Sequence, residues 1–495
     1  MSPLRLVSAS LALLFACAAS AGTPAYQPFP KGYGYLEPAE IRALQAAVQK
    51  GDNGVVREHA WRLWAGSMQN ASGMDWPVWY TWPNTTNAFA GKANVAINAT
   101  DSSPAAIPPK RHSGRRGIGT LLPVHAPNTP TYGIPAQVSA AYPNATDPKK
   151  CDGICDGTHF AFNGDIMIAT ESLSKEALDF IRDPKQPVYK QSTLNKLYSQ
   201  GNPATRVHQL NAPASYVVTK HMYWPVKAKG LTALPVWHDD FDANYPGYAG
   251  YEMWKSAAAI DPSGKQVGQN AQVSYLYNVF KHRTTTPWPT ITKQAKVVGL
   301  QDFYHHRVTQ ADWDSFDEAD KAIINAASYW LSNQPFGVGD YLVTVAMHIN
   351  TKEIPSWGLQ SVWWSDTPNS TQYAANRPAN LKARGPWNHY LLTEAYGIPE
   401  KGNHQQLPVA TNPYIELVSH PVGTSCYTCH ARAGWPTSFK GMTSNIATKI
   451  TSYQNADCPD LRGALNPKSS CLKTFTLTDF QWIIPDRALD DTARR

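Results

Sequence analysis

The chain has 495 residues, of which 42% are hydrophobic and only 16% charged, and it carries a formal net charge of +7. With 17 Trp, 24 Tyr and 39 Pro it is too aromatic and too weakly charged to be disordered, lacks the Ala/Glu/Lys/Leu bias of a coiled coil, and is too rich in helix breakers to be mostly helical. The charge is spread along the chain without the Lys/Arg block that marks a nucleic-acid arm, so nucleic acid is not expected as a partner; the densest basic stretch, Lys110, Arg111, Arg115 and Arg116, reads as a solvated loop.

Residues 1–21 read as a secretory signal peptide. Arg5 supplies a positive n-region, Leu6 to Phe15 an apolar run too short to span a bilayer, and Ala19-Ser20-Ala21 the small-residue cleavage pattern. Leu14-Phe15-Ala16-Cys17 loosely resembles a lipobox, but Phe15 is bulky for that position. Nothing later is long and apolar enough to cross a membrane, so a periplasmic protein without a transmembrane segment is expected.

Two amphipathic helices follow. The first starts at Glu37-Pro38-Ala39-Glu40 and ends at Gly51; the second runs from about Val55 to Met68. Residues 69–160 are dense in Asn, Pro, Gly and Thr and read as long loops. Ser172 to Arg182 reads as a capped helix. Ser215 to Trp224 and Leu231 to Trp237 read as strands joined in a hairpin through Lys227-Ala-Lys-Gly230. Another strand is expected near Val273 to Phe280. Ser315 to Leu331 has a cap, early acids and a regular apolar stripe, the clearest helix in the chain. Gly339 to Trp364 holds at least two more strands. The expected fold is α+β: an antiparallel β-sandwich-like core with several helices and a C-terminal segment. Its parts are the signal peptide, a Trp/Pro-rich domain over 22–400 and a C-terminal segment over 401–495.

The C-terminal segment carries Cys426-Tyr427-Thr428-Cys429-His430, the spacing of a c-type haem attachment site. In a C-x-x-C-H run two thiols, two residues apart, reach the two vinyl groups on one side of a porphyrin. The next residue then offers an imidazole to the iron. Zinc would need a second ligand pair at matched spacing, and no further C-x-x-C follows. A thioredoxin-like pair would sit in a βαβ unit, and none surrounds it. A disulfide beside an incidental His remains the plain alternative.

On Cys426, Cys429 and His430 the chain resembles the bacterial c-type cytochromes, over about 90 residues at most, from near Lys401 onward. The resemblance implies one covalent haem c on Cys426 and Cys429, with His430 as proximal iron ligand. It also implies a periplasmic location and redox work with a partner protein. Small single-haem cytochromes run a helix into the motif and use a later Met as sixth ligand. Here Pro421 and Gly423 precede the motif, and the only later methionine, Met442, follows closely. The sixth position is therefore open or filled from the large domain. His348 is the first candidate and His221 the second, with His420 near in sequence.

Cys151 and Cys155 are spaced by three residues and followed by Asp156, so they do not form a second haem motif. With His159 they could hold a metal. More simply, the four remaining cysteines form disulfides, Cys151–Cys155 and Cys458–Cys471 being the local pairings. The clustered Trp76, Trp79, Trp82, Trp357, Trp363 and Trp364 are expected to anchor the core or to line a small-molecule or polymer site. His238-Asp239-Asp240 is a further acid–base or metal candidate. G-x-G-x-x-G after a strand, G-x-S-x-G and H-E-x-x-H are all absent. A haem carrier needs only about 100 residues, so the additional several hundred imply a second task. An oxidoreductase with a substrate-binding large domain is expected, or else a non-enzymatic electron-transfer and docking cytochrome.

Overall fold

The structure, a computed structural model, describes residues 25–73, 77–89, 135–147, 168–200, 210–238, 254–276, 290–355, 357–369, 371–383, 385–396, 412–415, 433–436 and 476–491, with single residues at 410, 426 and 430. Helix α1 spans Pro38–Lys50, with Pro at its first position and Gly51 left-handed at φ 72° beyond its end. Both ends follow from the preorganised φ of Pro and the free φ of Gly. Helix α2 spans Asn53–Ser67; the Asp52 carboxylate accepts hydrogen bonds from the Gly54 and Val55 amides at its start. It buries His59, Ala60, Trp61, Leu63 and Trp64, a face too broad for a surface helix.

The main sheet contains β1 (Ile168–Leu173), β2 (Val217–Val226), β7 (His305–Arg307), β8 (Tyr341–Thr351), β9 (Gly358–Trp364) and β10 (Tyr390–Tyr396), paired antiparallel in the order β1-β2-β8-β9-β10. β7 pairs with the first residues of β8. A second sheet has the order β3 (Thr232–Val236), β4 (Ser256–Asp261), β6 (Thr290–Gly299), β5 (Asn270–Leu276). Its β4–β6 pair is parallel. A short ribbon joins β11 (Gly434–Trp435) to β12 (Thr476–Leu477). The fold is thus α+β and largely antiparallel, with that parallel pair as a departure from the expected sandwich.

The two-strand reading of 215–237 holds, but the strands do not pair. Both edges of β2 are occupied, by β1 and by β8, so the chain turns at Gly230 (φ 81°) into the other sheet. The turn is tied down where Ala228 N–H donates to Asp340 Oδ1 at 2.8 Å and Lys227 Nζ contacts the same carboxylate. The helix expected from Ser172 begins later: Ser172 belongs to β1, and the cap is Ser174, whose Oγ accepts from Ala177 N–H. The helix expected over Ser315 to Leu331 is the single helix Glu318–Ser332, capped by Asp317, and a separate short helix, Gln310–Ser315, precedes it. The described parts of 69–160 contain short helices at Thr85–Phe89, Ala136–Ala141 and Pro143–Thr146.

Trp79, Trp82, Trp357, Trp363 and Trp364 are all buried; Trp76 lies outside the described residues. Two apolar clusters result. The larger joins α2, the helix Glu318–Ser332 and both main sheets. The smaller gathers Leu178, Tyr216, Val218, Trp357, Leu359 and Ala395 with Cys426, Trp435, Phe480 and Ile484. Residues on both sides of position 401 therefore share one core. Among the described residues, no helix is long and apolar enough to cross a membrane.

Candidate haem site

Cys426 and His430 each have helical backbone; the residues between them lie outside the described residues. Cys426 is buried in the smaller cluster, and its amide donates to Ala410 O at 2.8 Å. His430 is half-buried. Its Nδ1 lies 2.7 Å from the carbonyl oxygen of Phe480. A carbonyl can only accept, so Nδ1 carries the hydrogen, and the lone pair of the neutral ring sits on Nε2. That is the tautomer in which an imidazole can ligate a metal through Nε2, its other nitrogen fixed from behind.

The turn that carries the Phe480 carbonyl is tied to the chain just after His430. Ala433 N–H donates to His430 O at 3.1 Å, and Thr478 N–H donates to Ala433 O at 2.9 Å. These bonds, with the β11–β12 ribbon, bring residues 476–481 beside the motif. Asp479 and Phe480 both adopt left-handed backbone, φ 51° and 66°, which costs non-glycine residues on the order of 1 kcal/mol each. Trp357, whose ring stacks on Phe480 with centroids 6.4 Å apart, is left-handed as well at φ 64°. Trp357, Phe480, Ile483 and Ile484 share one apolar cluster with Cys426, and the Phe480 carbonyl orients the His430 ring. Cys429 lies outside the described residues, as do Cys151, Cys155, His159, His420, Met442, Cys458 and Cys471.

The two distal candidates fall on opposite faces of the main sheet. His348 on β8 lies in register with Lys220 and Ser361. Its row adjoins the row Val218, Asn350, Leu359 and Ala395 on the same face, three of whose members belong to the cluster that holds Cys426. His221 pairs with Met347 on the other face. There it stacks on Trp79 at 3.4 Å between centroids, and its Nε2 lies 2.9 Å from Thr219 Oγ1. Burial pushes its pKa well below the ordinary value, so it is a neutral, stacked core residue. The structure sets His348 on the face that adjoins the Cys426 cluster and His221 on the face toward α2.

His238 Nε2 meets Asp366 Oδ1 at 2.6 Å, while Asp239 and Asp240 lie outside the described residues. Among the described residues no group of three or more His, Cys, Asp or Glu side chains is arranged around a metal-sized gap. Sequence reasoning named Trp357 only as one of the clustered tryptophans and missed the turn behind His430, with Lys352, Asp479 and Phe480. No spacing rule links positions more than 120 residues apart, and the only visible trace is a run of polar residues at a strand end.

Sequence reasoning also missed a buried charged cluster under α2. His59 Nε2 lies 3.2 Å from Glu353 Oε2, and its Nδ1 lies 3.7 Å from Glu40 Oε2. Burial alone would lower the His59 pKa, but the two carboxylates outweigh it and raise it to about 9. Nearby, Arg57 pairs with Glu394 at 2.7 Å; burial raises the Glu394 carboxyl to about 7 despite the guanidinium.

Comparison of the chain with protein-family models, with curated proteins and with solved structures finds no match.

Proposed function

We propose that this protein is a periplasmic mono-haem c oxidoreductase. One haem is bonded through Cys426 and Cys429 and ligated by His430, and it exchanges electrons with a redox partner protein. Bound there, it would supply a one-electron couple and, with an open sixth position, a site for oxygen or peroxide chemistry. The chain's residues set the conditions. Cys426 anchors from within an apolar cluster, and His430 presents Nε2 because Phe480 O holds its Nδ1–H. The buried Trp and Ile walls limit water access and so bias the couple. The large domain binds a small-molecule or polymer substrate. The observation that carries the reading is the His430–Phe480 hydrogen bond within a C-x-x-C-H run, because it produces the one tautomer that ligation needs.

Optical spectroscopy of protein matured in a host with haem c assembly machinery tests it. Expected is the pyridine haemochrome spectrum of a haem bearing two thioethers, at one per chain. A colourless mature protein would contradict the reading. Addition of cyanide and CO then separates the versions: binding marks catalysis at iron, and inertness to both leaves an electron-transfer and docking cytochrome.

A further inference from the structure

Asp479 joins three distant segments at one carboxylate. Its Oδ1 accepts from Lys352 Nζ at 2.7 Å and from Trp357 Nε1 at 3.0 Å. Its Oδ2 accepts from the Ala212 amide at 2.7 Å. The carboxylate is fully buried, and the Lys352 side chain is 7% exposed. Lys352 Nζ also donates to Pro355 O at 2.7 Å and sits over the Trp357 ring, 5.4 Å from its centroid. A buried ion pair stabilises little by itself, since desolvation offsets most of the attraction. Its value is geometric where a registry must be held.

Here the registry is that of a turn. Asp479 is the residue before Phe480, both are left-handed, and Thr478 closes the turn through its Oγ1 on Gln481 O at 2.8 Å. Two successive left-handed non-glycine residues persist only where their surroundings over-determine them. The three bonds to Asp479 and the stacking of Phe480 on Trp357 supply that. What the turn presents is the Phe480 carbonyl to His430 Nδ1. We infer that Lys352, Asp479 and Trp357 are positioning residues: they clamp the 478–481 turn to the end of β8, so that Phe480 O fixes the His430 ring and aims Nε2 away from it. This rests on the reading of His430 as a haem ligand only for its redox consequence; the clamp itself concerns groups within the chain.

The test uses Asp479→Asn, Lys352→Met and, as a packing control, Trp435→Phe, which removes the Trp435 Nε1 bond to Asn195 Oδ1 and trims a buried ring in the Cys426 cluster while leaving the bonds to Asp479 in place. Asp479→Asn keeps the shape but turns an amide donor toward one of the three donors. Two readouts are taken on each folded variant. The first is 15N NMR of the His430 ring. The Nδ1–H tautomer with a slowly exchanging proton is expected in the parent and in Trp435→Phe, and rapid exchange or a mixed tautomer in the other two. The second is the haem midpoint potential. A weaker Nδ1–H bond makes the imidazole a poorer donor to ferric iron, so the couple should move toward the ferrous form by about tenfold, ~59 mV upward for one electron. Lys352→Arg should restore both signals. Parent-like NMR and potential in Asp479→Asn and Lys352→Met would overturn the inference. A parent without haem would defeat the proposed function while the ring tautomers still decided the clamp.

Discussion

At the residue scale the side chains fall into two groups, those that present an atom and those that carry a buried charge. His430 presents Nε2, and its removal separates the two bonds that hold a c-type haem. In His430→Ala the thioethers should still retain the haem, while the visible spectrum shifts to that of iron without a proximal imidazole. Complete loss of haem from purified His430→Ala would mean that the thiols do not anchor it. His59 carries the charge under α2. Its folded pKa is raised to about 9 against an ordinary ~6.5. The stability it contributes is therefore fully present below ~6.5 and is lost as pH rises through 9. The Glu394 carboxyl, raised to about 7 by burial, adds a loss of the same sign between its ordinary value near 4.3 and 7. The thermal midpoint should fall steadily from pH 5 to pH 9.5. His59→Gln should flatten the upper part of that slope while lowering the midpoint, by roughly 3 kcal/mol in stability, because Glu353 loses its buried partner. An equal slope above pH 6.5 in both proteins would rule out His59 as the source.

At the scale of elements, the helices were the legible part. Pro38, Gly51 and the acids before Lys321 mark ends by local chemistry, and local chemistry is visible in one window of sequence. Ser174 and Asp317 displaced the expected cap positions by only two residues. Strands were read where β-branched and aromatic residues run together, as in β2, β8 and β9. They were missed in β4, whose Ala257, Ala258 and Ala259 carry little strand preference, and in β10 and β1. Their place comes from pairing with distant partners. Two substitutions probe this level. Asp317→Ala removes the side chain that accepts from Asp320 N–H and should cost about 1 kcal/mol in denaturant unfolding; no change would mean the helix start is held by packing alone. Gly66→Ala should cost more, about 1–3 kcal/mol. A Cβ there would meet Tyr33 Cβ at 2.7 Å and the Phe29 ring at 2.8 Å, at the contact that seats the N-terminal segment on α2. A neutral effect would show that this segment yields freely.

At the scale of the molecule, the main sheet separates two regions. On one face lie α2, the His59 cluster and the stacked pair Trp79–His221. On the other, the smaller apolar cluster receives Cys426, Trp435 and Phe480 from the C-terminal segment. The C-x-x-C-H motif pointed to candidate haem residues but could not say that the segment shares a core with β2, β9 and β10. That knowledge depends on register. It also could not separate His348 from His221, since alternation along a strand assigns faces only once the pairing is known. The same arrangement explains why a c-type haem segment would be built onto so large a chain. The sheet end supplies Lys352 and Trp357 to the turn behind His430, so under the proposed function the redox centre would be mounted on the domain that would hold the substrate. The most direct check on this account is the intact mass of the mature, denatured protein, followed by mapping of the peptide that contains Cys426 and Cys429. A mass increase of one haem that survives denaturation and resides on that peptide is expected. An unmodified peptide from protein matured where haem c is assembled would contradict it.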